Sequence, residues 1–175
     1  DNLSEVSKLD GNEPNGRFYT MKGGYTLATT AGMKLLNKRL RQLDADSVME
    51  KLRVGVHSDT QVTSTKWGSQ QIRDPQHLVT EVFGSACSVA YSYDSETSLW
   101  EPFATLILNA SYECTLWAAL ENACRHPNDP SARVVYLTAL GGGVFGNPME
   151  WIADAMRRAF RKFQNTALDV RIVIY

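Results

Sequence analysis

Three cysteines with no C-x-x-C pair among them leave this chain without the spacing of a zinc site and without the even count of a disulfide framework. Cys87, Cys114 and Cys124 therefore read as free thiols, and a reducing, cytoplasmic compartment is expected. An excess of charge of either sign is also missing: the formal net charge is −1, so no overall field draws nucleic acid or an anionic membrane toward the protein. No apolar run approaches the roughly 20 residues of a membrane helix, and no charged-then-apolar signal peptide opens the chain. Neither nucleic acid nor membrane is an expected partner. Internal repeats and low-complexity runs are absent as well. A chain that opens on Asp and not on Met is expected to be an excised or processed piece.

What is present suffices for one domain: 175 residues, 43% hydrophobic and 21% charged, a length that argues against two independent cores. Residues 1–16 (DNLSEVSKLDGNEPNG) are polar and aperiodic, predicting a flexible leader ahead of a single domain over 17–175. Met33, Leu35, Leu36, Leu40 and Leu43 predict an amphipathic helix over about 32–43, whose Lys and Arg residues read as a solvated face. Alternation over 53–63 predicts a strand on which His57, Asp59 and Gln61 share one side. A helix is expected over 76–91 and a long apolar one over about 102–124. The small residues Gly84, Ser85 and Ala86 allow a close backbone approach. Residues 133–138 (RVVYLT) and 168–175 (LDVRIVIY) read as buried strands flanking a helix over about 149–163. Strand, helix and strand in that order predict an α/β fold with a mostly parallel sheet.

Gly141, Gly142, Gly143 and Gly146 fall between that strand and helix, where open α/β sheets bind ligands. Glycines there allow positive φ and let phosphate oxygens reach backbone N–H groups, and the helix start adds partial positive charge. A tight turn serving packing alone would use the same residues. No Lys-Ser or Lys-Thr follows the glycines, and G-x-G-x-x-G does not fit the register, so neither a P-loop nor a dinucleotide fingerprint is present.

The stretch LTALGGGVFGNPMEWIADAMRRAF resembles the second ligand-binding loop and following helix of macrodomains. With GVHSDTQVT, VFGSACSVAYS, WEPFATLILNASYECTLWAAL and LDVRIVIY, it resembles more narrowly the divergent macrodomain-like ADP-ribosylhydrolases typified by the bacterial effector MavL, which act on arginine-ADP-ribosylated ubiquitin. The likeness covers about residues 53–175 and less clearly 17–52. The usual macrodomain first loop, with its Asn-Ala-Ala-Asn, is absent, so catalytic residues do not carry over from ordinary macrodomains. The resemblance implies a three-layer α/β/α sandwich with a mixed, mostly parallel sheet. It also implies ADP-ribose as ligand, an ADP-ribosylated protein such as ubiquitin as partner, and ADP-ribosylhydrolase activity without metal or cofactor. A non-catalytic ADP-ribose reader is the alternative.

On that reading Gly141, Gly142, Gly143, Val144, Phe145, Gly146 and Asn147 hold the diphosphate and distal ribose, with Phe145 over the sugar, and Tyr175 meets adenine. Phe145 is otherwise a core aromatic fixing the loop, and Tyr175 a packing residue. Cleaving a bond to ribose passes through an oxocarbenium-like state and calls for a carboxylate. The candidates are Asp59, Asp74 and Glu113, with Asp59 first because it ends the polar side of a predicted strand. Asp74 precedes Pro75 and equally suits a helix start. Glu113, in an apolar helix, equally suits a structural bond to amides beneath the glycine loop. His57 and Gln61 would shape the ribose site, and Trp67 would be an exposed contact.

Overall fold

The computed structural model describes residues 2–13, 16–67, 69–71 and 76–174, and Trp67 through its backbone alone. The polar start of the chain is folded: Ser4–Asp10 forms a helix (α1) that ends on Gly11 at φ +84°. Leu3 and Val6 are buried, two apolar anchors in a segment whose composition predicts a flexible leader. Asn12 ties this segment to the next. Its Oδ1 accepts from the Phe18 and Tyr19 amides at 2.7 and 3.1 Å, and its Nδ2 donates to the Tyr19 carbonyl at 2.9 Å. Strands β1 (Tyr19–Lys22) and β2 (Tyr25–Ala28) pair antiparallel across Gly23 and Gly24 at φ +59° and +86°. Two residues of positive φ match the tight hairpin turn that strand twist favours.

Helix α2 (Thr30–Leu40) starts where Thr29 accepts from the Gly32 amide, and it buries Met33, Leu36 and Leu40 on one face. Gly32 lets this helix lie against β1, because a Cβ there would come 2.1 Å from the Phe18 carbonyl oxygen. A short helix α3 (Ala45–Met49) is capped by Asp44 and buries Val48. Next come β3 (Gly55–Gln61), the two-residue strands β4 (Lys66–Trp67) and β5 (Gln70–Gln71), and β6 (Leu78–Phe83). Helix α4 (Thr97–Arg125), 29 residues long, is the centre of the molecule, with α2, α3, α5 (Met149–Phe163) and β6 packed on it. Its first half is buried on several sides through Trp100, Phe103, Ala104, Ile107 and Leu108. Each large side chain there contributes about 1.5–3 kcal/mol by leaving water. On α5 a single stripe of Trp151, Ile152, Ala155, Met156, Ala159 and Phe163 faces α4, the spacing of an amphipathic helix.

Strands β7 (Val134–Leu137) and β8 (Asp169–Ile172) pair in parallel across α5, so the strand-helix-strand unit forms as its hydrophobic pattern predicts. The expectation of a macrodomain-like three-layer sandwich with a mostly parallel sheet is overturned. The described residues form four two-stranded sheets, three antiparallel (β1–β2, β3–β6, β4–β5) and one parallel. The two-residue turn between β1 and β2 allows only antiparallel pairing, β3 and β6 pair antiparallel although residues 62–77 lie between them, and a parallel pair needs a crossover. Along β7, Val135 and Leu137 are buried while Tyr136 between them is 63% exposed. One face of this pair is therefore open, whereas a doubly covered parallel sheet buries both. A second correction concerns 76–91, expected as a helix. LVTEVF alternates and is rich in β-branched residues, so it forms β6 against β3, followed by a 3-10 turn at Val89–Tyr91.

Asp10 is a buried carboxyl in this N-terminal segment, accepting from the Asn12 amide at 2.8 Å and the Tyr19 hydroxyl at 3.1 Å. Burial pushes its pKa up to about 6, against those two bonds. A folded-state pKa above the unfolded one means the stabilising contribution is complete below pH about 4 and is lost as pH rises through 6. Urea unfolding of wild type and Asp10→Asn at pH 5 and pH 8 is expected to show the variant gaining on wild type at pH 8. The differential between the two pH values is about 1.4 kcal/mol, one pKa unit lying between pH 5 and the folded value, and an equal ranking at both pH values would refute it.

Candidate functional site

The glycine-rich segment 138–148 leaves the C-terminal end of β7 and enters α5. It is braced from below by α4: the Tyr112 hydroxyl donates to the Thr138 carbonyl at 2.8 Å and accepts from the Leu140 amide at 3.0 Å. It is braced from the side by 84–92. The Ala90 amide donates to the Phe145 carbonyl at 2.9 Å, and Asn147 Nδ2 donates to the carbonyls of Cys87 and Gly141 at 2.8 and 3.1 Å. The close approach anticipated from Gly84, Ser85 and Ala86 is thus to α4 and to this loop. A Cβ on Gly84 would touch Ser111, and one on Gly141 would lie 2.4 Å from that of Ala86.

Only some glycines are needed for shape. Gly141 and Gly146 hold φ of +76° and +71°, and both press on 84–92. Gly143 has open space around it, and Val144 is 74% exposed. Turns within the loop use the amides of Gly142, Gly146 and Asn147. Those of Gly143, Val144 and Phe145 have no acceptor among the described residues. Helix α5 follows at once, with Pro148 at its cap position and no side chain satisfying its first amides. Asn147, 3% exposed, keeps its Oδ1 without a partner. Consecutive unspent amides before an uncapped helix start are groups that attract an anion.

Phe145 packs edge-on against Tyr25 and Tyr91, with ring centroids 5.9 and 5.6 Å away, and those two rings are 4.9 Å apart. Phe145 therefore anchors the loop, and Tyr25, 41% exposed, is the ring of this cluster with face to offer a ligand. The sequence reading passed over Tyr25, Tyr91 and Tyr112. Nothing local ties Tyr25 to Tyr91 and Phe145, which reach it only through tertiary packing.

The candidate carboxylates lie elsewhere. Asp59 sits in a bulge of β3, at φ +54°, where the pairing with β6 shifts between His57 and Thr60. Its carboxylate accepts from Arg125 Nη1 at 2.8 Å and lies 2.9 Å from His126 Nε2. Desolvation works to raise its pKa, but the hydrogen bonds from His126 and Arg125 and their charges together hold it below the usual carboxylate range. The bulge also undoes the predicted shared face. His57 pairs with Glu81 and Gln61 with Leu78, three positions apart on β6, so the two side chains leave opposite faces of the ribbon.

Glu113, 7% exposed, ion-pairs with Arg158 and with Lys162 at 2.5 Å. It clamps α4 to α5 and does not bond to amides under the glycine loop. Along α4, Tyr112 at the loop and Arg125 at Asp59 are 13 residues apart, roughly 20 Å of helix. Loop and Asp59 are therefore at different places on the molecule. Asp74 and Tyr175, expected near ribose and adenine, lie outside the described residues, and so does the side chain of Trp67. Among the described residues no helix is long and apolar enough to cross a membrane. Comparison with protein-family models, curated proteins and solved structures returned no match for this chain.

Proposed function

We propose that the chain binds an ADP-ribose-type ligand, its diphosphate on the amides of Gly143, Val144 and Phe145 and on the first turn of α5. The observation that carries this reading is the run of three amides without acceptors beside an uncapped helix start. Tyr25 stands where an aromatic base or a sugar face would pack, one ring beyond Phe145. The sequence likeness of LTALGGGVFGNP to ADP-ribose-binding loops supports the choice of ligand over a simple anion. Free Cys87, Cys114 and Cys124 support a reducing, cytoplasmic setting.

Removal of ADP-ribose from a protein side chain, with arginine-ADP-ribosylated ubiquitin as substrate, is a second reading favoured by one feature. Asp59 is the only non-glycine residue at positive φ among the described residues, held by a cation and an imidazole, and such strain concentrates at functional sites. A carboxylate kept ionised this way suits stabilising positive charge on ribose better than taking a proton. Its distance from the loop weighs toward binding without cleavage. Incubating the chain with arginine-ADP-ribosylated ubiquitin and measuring free ADP-ribose separates the two readings. Binding alone gives no release beyond buffer for wild type. Release by wild type that falls at least a hundredfold in Asp59→Ala would establish hydrolysis instead.

A further inference from the structure

A cleft of about 420 Å³ opens on the opposite end of the sequence from the glycine loop, between the C-terminus of α1, the start of β1 and the outer face of α2. Its wall carries Asp10, Arg17, Phe18, Leu35, Lys38 and Arg39. Three of these are cations, on a chain of net charge −1. Several cations elsewhere are matched, among them Arg125 to Asp59, Arg157 to Asp154, Arg158 and Lys162 to Glu113, and Arg171 to Asp169; what sets these three apart is that they line one cleft. Among the described residues no carboxylate lies within ion-pair distance of Arg17, Lys38 or Arg39. The one acid in the wall, Asp10, makes no ion pair with them, and its oxygens accept from the Asn12 amide and the Tyr19 hydroxyl.

Two of the cations are also held in place. The Arg17 guanidinium lies over the Phe18 ring, 5.5 Å from its centroid. Arg39 is fixed by bonds to the Asp10 and Leu9 carbonyls at 3.2 and 3.5 Å, which close the end of α1. Three like charges lining one cleft repel one another, and an anion bound among them relieves this. The volume falls within the range of small-ligand pockets. Leu35, 45% exposed, adds an apolar patch for more than a bare ion. From this convergence of unpaired cations around a cleft, we infer that the α1–α2 face is a second binding site, for a small soluble phosphate-bearing molecule gripped by Arg17, Lys38 and Arg39. Two guanidinium groups suit the bidentate recognition of phosphate oxygens.

The test uses the full chain carrying Gly143→Glu, which removes the loop from competition, and inorganic pyrophosphate as the probe in low-salt calorimetry. Saturable one-to-one binding is expected. It should weaken at least tenfold when Lys38→Glu is added, and it should fade as salt screens the site. Lys38 is exposed with no partner among the described residues, so its variant keeps the fold, which an unchanged thermal midpoint verifies. Binding by wild type that vanishes in Gly143→Glu would overturn the second site while leaving the loop reading intact. Binding unchanged by both Lys38→Glu and Arg17→Glu would overturn it too.

Discussion

Gly141→Ala is expected to destabilise the chain by about 2–5 kcal/mol and to detach the glycine loop from 84–92. The estimate combines about 1–2 kcal/mol for an L-residue in the left-handed region with about 1–3 kcal/mol for overpacking. The backbone there has φ +76°, and the added methyl would lie 2.4 Å from Ala86 Cβ and 2.7 Å from Asn147 Nδ2. Moving Asn147 would in turn break its bonds to the Cys87 and Gly141 carbonyls, about 1 kcal/mol each. Gly143→Ala is the control. With open space around that position and no positive φ, it should stay within about 0.5 kcal/mol of wild type. Chemical denaturation of the three proteins decides the matter. Similar midpoints for Gly141→Ala and Gly143→Ala would mean that the loop is not held as the structure shows.

Gly143→Glu is expected to fold normally and to lose at least a hundredfold in affinity for ADP-ribose, about 2.8 kcal/mol on the scale of 1.4 kcal/mol per tenfold. The space that tolerates the side chain is the space the diphosphate would occupy. A carboxylate there meets the ligand's negative charge at short range, where like charges near a protein surface repel by about 4 kcal/mol at 4 Å. It also competes for the Val144 and Phe145 amides. Calorimetry on wild type, Gly143→Ala and Gly143→Glu should rank the first two together and the third far below. An affinity for ADP-ribose indifferent to Gly143→Glu would place the ligand elsewhere.

How much of this was legible from the residues depends on the range of the forces involved. Helix α5 was readable because its apolar stripe is periodic over 15 residues, and β7 because an unbroken apolar run sits between turn signals. The strand at 78–83 was misread as helix because its partner, β3, lies some 20 residues back and supplies the pairing that decides between the two. The N-terminal helix was hidden by composition: two apolar residues, Leu3 and Val6, suffice once Asn12 ties the segment to β1. A mostly parallel sheet followed from extending one real βαβ unit to the whole chain. At the site, the glycines were legible because backbone shape is a local demand. The partners of Asp59 and Glu113 were not, because Arg125, His126, Arg158 and Lys162 reach them only through tertiary packing. The bulge that parts His57 from Gln61 was equally invisible in an alternating pattern.

The central claim is that the glycine loop holds a diphosphate through amides the fold leaves unspent. The most direct measurement follows the backbone amide resonances of the isotope-labelled chain during titration with ADP-ribose. Saturable shifts of the Gly143, Val144 and Phe145 amides, with the Gly142, Gly146 and Asn147 amides protected throughout by their internal bonds, are the expected result. If Gly143, Val144 and Phe145 stay fixed while ligand is present in excess, the claim is contradicted.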